Sequence, residues 1–308
     1  VLNYADRRAL LGLGIASSCY FLWGLFPLYF RTLIEVNAVE IIAHRAVWTC
    51  VTCLGLLALL RRGQRLRQAL ADRRTVLLLA IAGALVTLNW LTYVYGVNTG
   101  RTTDAAIGYF LNPLLTVALA RFFLHEPLRP LQWLSLAIAT LAVVVLIVAY
   151  GSVPWISLGL AFTFGFYSLL KKQAGARVDP LTGLAIETAA VTPLAGGYLL
   201  WLAATGVGAF SLPSLVTGTG TLTWLLLAAG PITALPLLLF AEGSRRVSLT
   251  VMGLLQYIGP TLQFLVAVFL FHEHLPPARL WAIALVWLAV AVFVTDSLRA
   301  RRRTPRQS

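Results

Sequence analysis

Tyr109–Leu128 reads YFLNPLLTVALARFFLHEPL, and Gln256–Leu275 reads QYIGPTLQFLVAVFLFHEHL. An offset of 147 positions lays one stretch on the other: Pro113 meets Pro260, His125-Glu126 meets His272-Glu273, and Leu128 meets Leu275. Between 113 and 128, seven of sixteen positions are identical under that single offset. Each copy is an apolar segment broken by a proline and closed by a short polar exit. A self-similar chain is built from repeated structural units. Proline-interrupted segments at matching places in two halves point to a solute site between membrane repeats.

The rest of the chain is made of the same material. Of 308 residues, 59% are hydrophobic and 11% charged, against about 25% charged in a soluble domain. A soluble fold of this composition lacks the polar residues to cover its surface. Ten stretches have the roughly 20 apolar residues that a bilayer-crossing helix requires: 10–30, 38–60, 75–97, 103–123, 130–150, 154–171, 181–204, 222–241, 248–271 and 278–297. Alternating strands of a membrane barrel are absent from the pattern, and lipid leaves a helix as the way to satisfy the backbone. The stretch 10–30 is too long, and too bulky at its end, for a cleaved signal peptide, so it reads as the first span. The fold class is therefore an all-α polytopic membrane protein with ten transmembrane helices.

Net charge is +13, but the basic residues sit in short pieces between apolar runs, which is a membrane-topology pattern and excludes a nucleic-acid surface. With a cytoplasmic N-terminus, twenty Lys and Arg fall inside, including Arg61, Arg62, Arg65, Arg67, Arg73 and Arg74 in one connector. Three fall outside (Arg31, Arg101 and Arg279), and Arg45 lies within a span. Both termini are then cytoplasmic.

The offset of 147 continues beyond the opening pair: Glu40 lands on Glu187, Gly83 on Gly230, Gly96 on Gly243 and Pro130 on Pro277. The chain divides into a first repeat at 1–150, a second at 151–298 and a basic cytoplasmic tail at 299–308. Five spans per half is an odd number, so the second half enters from the opposite side. The expectation is a 5+5 inverted repeat with its axis in the membrane plane, and with the tail disordered against anionic lipid.

Polar side chains at lipid depth are costly and face a protein interior or a wet cavity. In the second span, Glu40 and His44 share a face at i, i+4, and Arg45 lies about 10 Å below the outer end. Arg45 is expected to bind solute charge; mutual satisfaction of Glu40 and Arg45 is the alternative. Glu40, His44 and the symmetry mate Glu187 are expected to serve coupling, with simple structural pairing as the alternative. Asn89 is too deep for an interfacial role and shares a face with Tyr93. Trp90 and Tyr95 read singly as interfacial aromatics. Asn112-Pro113 and Gln256-Tyr257 with Pro260 place amides beside prolines that kink helices and free carbonyls. Trp23 and Tyr257 are expected to stack on the solute. Glu126 and Glu273 read as caps of the helices that follow them.

Cys50-x-x-Cys53 and Cys19 lie inside apolar runs and read as packing residues. No metal site and no cofactor are expected, and no G-x-x-x-x-G-K-[ST] loop is present for ATP. A polytopic enzyme acting on lipid-like substrates would need paired carboxylates or clustered histidines at one membrane face; the five Asp residues are scattered, and His272-Glu273-His274 stands alone. A channel or scramblase remains the other alternative to a carrier.

Several pieces together resemble the RarD-type branch of the EamA group in the drug/metabolite transporter (DMT) superfamily: Leu22-Trp-Gly-Leu-Phe-Pro-Leu-Tyr29, Glu40-Ile-Ile-Ala-His-Arg45, Asn89-Trp-Leu-Thr-Tyr-Val-Tyr95, Gly108-Tyr-Phe-Leu-Asn-Pro113 and Leu255-Gln-Tyr-Ile-Gly-Pro-Thr-Leu-Gln-Phe264. The resemblance runs through nearly the whole chain. It implies a ten-helix inverted-repeat transporter of small metabolites or drugs in the bacterial inner membrane, and not an enzyme; the residues themselves, Arg45 and the aromatics, point to an anionic, zwitterionic or aromatic solute. One departure stands out: His125 and His272 occupy places where the family pattern has Gly before the Glu.

Overall fold

The computed structural model describes residues 4–124, 128–175, 177–211, 213, 220–244, 246, 255–274 and 276–303. Among them every regular element is a helix. In chain order these are α1 (Tyr4–Gly24), α2 (Phe26–Arg31), α3 (Ala38–Leu59), α4 (Gly63–Ala71), α5 (Arg73–Asn98), α6 (Thr102–Leu124), α7 (Pro130–Tyr150), α8 (Trp155–Gly175) and α9 (Pro180–Thr205). There follow α10 (Thr221–Ser244), α11 (Ile258–Leu265, continued as one π-helical turn over Val266–Leu270) and α12 (Pro277–Arg303).

Six of these helical segments are long and apolar enough to cross a membrane, and three further apolar helices, Trp155–Lys171, Ile258–Leu270 and Leu280–Asp296, are shorter. Side chains that water would expel lie on the outside: Leu59, Val148 and Leu194 are each more than three-quarters exposed. An exposed apolar belt of this kind is the signature of a lipid-facing surface, and the protein is a multi-pass membrane protein.

Polar residues punctuate the apolar helices at their ends. The Asn37 side chain accepts from the Val39 amide at the start of α3, Asp72 does the same for Arg74 at α5, and Asp179 precedes Pro180 at the start of α9 and accepts from Thr182. These are helix-start signals of ordinary type. Left-handed Gly151 and Gly206 end α7 and α9, where a side chain would strain the turn. The last helix runs through Arg303, past the expected boundary at Leu298.

α3 packs along α9, α7 along α12, and α6 along α8 and α11; α5 contacts α8 and α9, while α10 contacts α1 and α3 and α1 also meets α11. α3 and α9 run antiparallel. Arg62, just beyond the end of α3, lies 4.0 Å from Asp179 at the start of α9, while Glu40 in the first turn of α3 accepts from the Ala209 amide beyond the end of α9. α7 and α12 are also antiparallel, joined by Arg129 ahead of α7 and Asp296 late in α12, 2.6 Å apart. Of the buried clusters that result among the described residues, the largest gathers Phe26, Phe30, Ile41, Trp90, Tyr93 and Leu226, and the second gathers Phe110, Leu114, Ala142 and Val286.

Candidate functional site

Arg45 stands in the larger cluster, on α3, and is 3% exposed. Its guanidinium carbon is 4.0 Å from the ring centroid of Trp90 and 5.4 Å from those of Phe26 and Phe30. Nε donates to the Thr233 hydroxyl on α10 at 2.8 Å. Nη1 is buried with no hydrogen-bond partner, and among the described residues no carboxylate pairs with the cation. An unpaired guanidinium deep in a span costs about 2.5–3.5 kcal/mol on the insertion scale; three aromatic faces offset part of this, since a desolvated cation–π contact is worth up to about 2 kcal/mol. The remaining donor is chemically suited to a carboxylate or phosphate oxygen.

Two tyrosines extend the cage. The Tyr93 ring lies 5.9 Å from Phe30 and 5.5 Å from Tyr109, and its hydroxyl is buried and unbonded. Tyr109 donates to Asn89 Oδ1 at 3.0 Å. Asn89 in turn donates to the Leu160 carbonyl and the Thr163 hydroxyl of α8. The amide expected to line the site thus has all its main hydrogen-bonding groups engaged inside the protein, and holds α5, α6 and α8 together behind the cage. Trp90 corrects the sequence reading: it is 8% exposed and stacks on Arg45, so it is no interfacial anchor.

One turn before Arg45, the two elements of the expected Glu40–His44 pair lie 4.0 Å apart. Glu40 does not pair with Arg45; it accepts the Ala209 amide at 2.7 Å. His44 Nδ1 accepts from the Trp48 indole at 3.1 Å, and its ring lies 5.0 Å from Phe210. An acceptor Nδ1 leaves the ring hydrogen of neutral His44 on Nε2. The connector after α9 therefore seats Phe210 on the helix that carries Arg45.

Trp23 packs against the same large cluster, and the other expected residues meet further partners. Trp23 packs edge-on to Tyr20 and 5.9 Å from Phe240, with its carbonyl held by Gln263. Asn112 is buried beside Pro113 inside α6. Tyr257 stacks on Phe110 at 6.2 Å, in the second cluster, and Gln256 is half-buried in the turn before α11. Pro260 falls in the first turn of α11, directly after the turn at Gln256-Tyr257, where its missing N–H is tolerated. Glu187 is fully buried and pairs with Lys171 and the Tyr167 hydroxyl of α8. The three cysteines are buried and unbridged.

Glu273 supplies a second correction. It does not cap the helix that follows it; its carboxylate accepts the Thr102 amide at 2.7 Å, the Thr103 amide at 2.9 Å and the Thr103 hydroxyl at 2.8 Å. It therefore caps α6, some 170 residues earlier. His125 and Glu126 lie outside the described residues.

A lipid-faced helical assembly around an unpaired buried cation defines a membrane protein with an interior polar site. The family follows from its relatives. A family described as the EamA-like transporter family matches residues 10–148. A Pseudomonas aeruginosa protein described as an uncharacterized transporter is 43% identical over 97% of both chains, and Protein RarD of Streptomyces exfoliatus is 41% identical over 97% of this chain and 93% of that one. A crystal structure 20% identical to this chain shares the fold with a TM-score of 0.57, over 93% of this chain and 98% of the other. The chain belongs to the EamA-like transporter family, in its RarD-type branch, and so to the drug/metabolite transporter superfamily.

Proposed function

We propose that the protein is a secondary transporter that moves a small anionic or zwitterionic metabolite or drug across the bacterial inner membrane by alternating access, with Arg45 as the charge-binding residue. The observation that carries this is the buried guanidinium with an unbonded Nη1 inside an aromatic cage. A membrane protein retains such a cation where an anion comes and goes. Trp90, Phe26 and Phe30 give the cage flat apolar walls, so the preferred solute carries a planar or apolar body beside its negative group.

The machine consists of two five-helix units, 1–150 and 151–298, inverted relative to each other. In support, exchanging each helix for its counterpart 147 positions away maps the main contacts onto one another: α3–α10 onto α5–α9, α5–α8 onto α1–α10, and α6–α8 onto α1–α11. Counterparts α3 and α9 lie antiparallel, as inversion requires. Connector contacts also sort by face: Glu273 with Thr102 and Glu40 with Ala209 on the side assigned outside, Asp72 with Arg177 and Arg129 with Asp296 on the side assigned to the cytoplasm. Both termini are cytoplasmic in this arrangement.

The test is a thermal-shift screen of metabolites and antibiotics on purified protein, followed by counterflow of the hits in liposomes. Saturable uptake of an organic anion or zwitterion is expected, and Arg45→Ala abolishes it while the variant still folds and inserts. Parental kinetics in Arg45→Ala removes Arg45 from the site. Flux without saturation or competition makes the protein a channel or scramblase instead.

A further inference from the structure

We propose that Glu273 is the latch of a gate, closing the outward side of the protein by holding the N-terminus of α6 to the end of α11. The proposal rests on the alternating-access reading above. A helix ordinarily takes its N-terminal cap from its own adjacent residue. α6 has no such cap: Arg101, just ahead of it, turns its guanidinium to Asp104 at 2.9 Å. Two amides and a hydroxyl of the first turn are instead gathered by one carboxylate from the other half of the chain.

The approach of Glu273 is built, not incidental. Helix α11 widens its hydrogen-bond spacing into a π turn over Val266–Leu270, and the Glu273 amide closes back onto the Ala267 carbonyl at 3.0 Å. His272 takes a left-handed conformation, φ +51°, to aim the next residue at α6, and single π turns of this kind are frequent where helices carry function. Beside it, Phe271 lies under the Arg31 guanidinium at 5.2 Å, a second contact between the halves at the same place.

Such a clamp is strong yet reversible. Carboxylate-to-amide hydrogen bonds at a helix N-terminus are charge-assisted and supported by the helix dipole. Thr102 and Thr103 are fully buried in this closed arrangement, and when Glu273 withdraws, water takes its place on the amides it uncovers, as it does at any helix end. α6 also carries Tyr109, whose hydroxyl anchors Asn89 behind the Arg45 cage. Release of the first turn of α6 therefore loosens one wall of the cage.

The experiment places a reporter beneath the latch. Ala105 is fully buried in the first turn of α6, and Ala105→Cys is reacted with a maleimide on purified protein, against the slow baseline of the buried native cysteines. Adding Glu273→Ala should speed labelling about tenfold, the shift expected when charge-assisted bonds that favour one conformation are removed. Glu273→Gln, which keeps an acceptor, should fall between. Equal rates in all three folded proteins overturn the latch. A disulfide between Thr103→Cys and Glu273→Cys should stop counterflow until reduced; undiminished counterflow in the cross-linked protein also overturns it. The labelling needs no solute. A reporter that responds in a protein that transports nothing keeps the latch and removes the carrier reading, whereas a silent reporter in an active carrier removes the latch alone.

Discussion

Gly83 of α5 lies so close to the backbone carbonyl of Glu187 in α9 that a Cβ at position 83 would overlap it. Its counterpart 147 positions on, Gly230 of α10, lies in the same way against the carbonyl of Trp48 in α3. Small residues let membrane helices approach backbone to backbone. Gly83→Ala and Gly230→Ala should each destabilise the protein by about 1–3 kcal/mol, the usual result of overpacking. Thermal unfolding in detergent measures it, and Gly196→Ala, where a Cβ meets open space, should leave the midpoint unchanged.

These glycines, and the helices that carry them, were legible because hydropathy and a fixed offset are properties of the chain itself. Arg45 was legible for the same reason: a charge inside an apolar run is visible without a fold. Its cage was not. Phe26, Phe30 and Trp90 carry the same sequence signal whether they face lipid or the interior, and only packing separates the two. Thr233 had a faint signal, lying between Pro231 and Pro236 in α10. Lys171 closes the expected span 154–171 and carries no sequence signal of a partner, yet its flexible stem reaches back to Glu187. Glu273 shows the limit most clearly, since its partners Thr102 and Thr103 are adjacent to it only in three dimensions.

His272 is one of two described non-glycine residues with positive φ, at +51°. The left-handed region costs a residue with a Cβ roughly 1–2 kcal/mol. His272→Gly should gain part of that back, the rest being lost to the greater freedom of glycine in the unfolded chain. The expected outcome is a thermal midpoint raised by about 2 °C, and a lowered one for His272→Ile, whose branched Cβ fits the region worst.

Asp72 titrates at the cytoplasm-assigned face, where Arg65, Asp72, Arg177 and Asp179 line a pocket of about 360 Å³. The Thr75 hydroxyl above all, with help from Arg177 and the Arg74 amide, holds the Asp72 carboxyl below the usual carboxylate range. Its folded pKa is depressed, so its contribution to stability is complete above the unfolded value of about 3.9 and disappears as pH falls through the lowered folded value. Asp72→Asn should therefore lower the thermal midpoint by an amount that is constant between about pH 5 and 8 and shrinks below about pH 4. The effect is small because the pair with Arg177 is solvent-exposed, and a pH-dependent difference near neutrality would contradict the assignment.

Lys171 and Glu187 form an unequal pair: the lysine side chain is 31% exposed and the carboxylate fully buried. Removing one member of a buried pair costs about 3–5 kcal/mol because the other is left uncompensated, while replacing both by apolar groups is often neutral. The lysine, once alone, can extend its ammonium toward water; the carboxylate, on a short stem among helices, has no such exit. Lys171→Met should therefore destabilise more than Glu187→Leu, and the double variant should unfold near the parental midpoint. That ordering separates structure from coupling. A double variant that is stable but whose uptake no longer depends on pH assigns the pair to proton coupling, which is the reason to keep a costly pair that packing does not require. A double variant with parental uptake at every pH assigns it to helix packing alone.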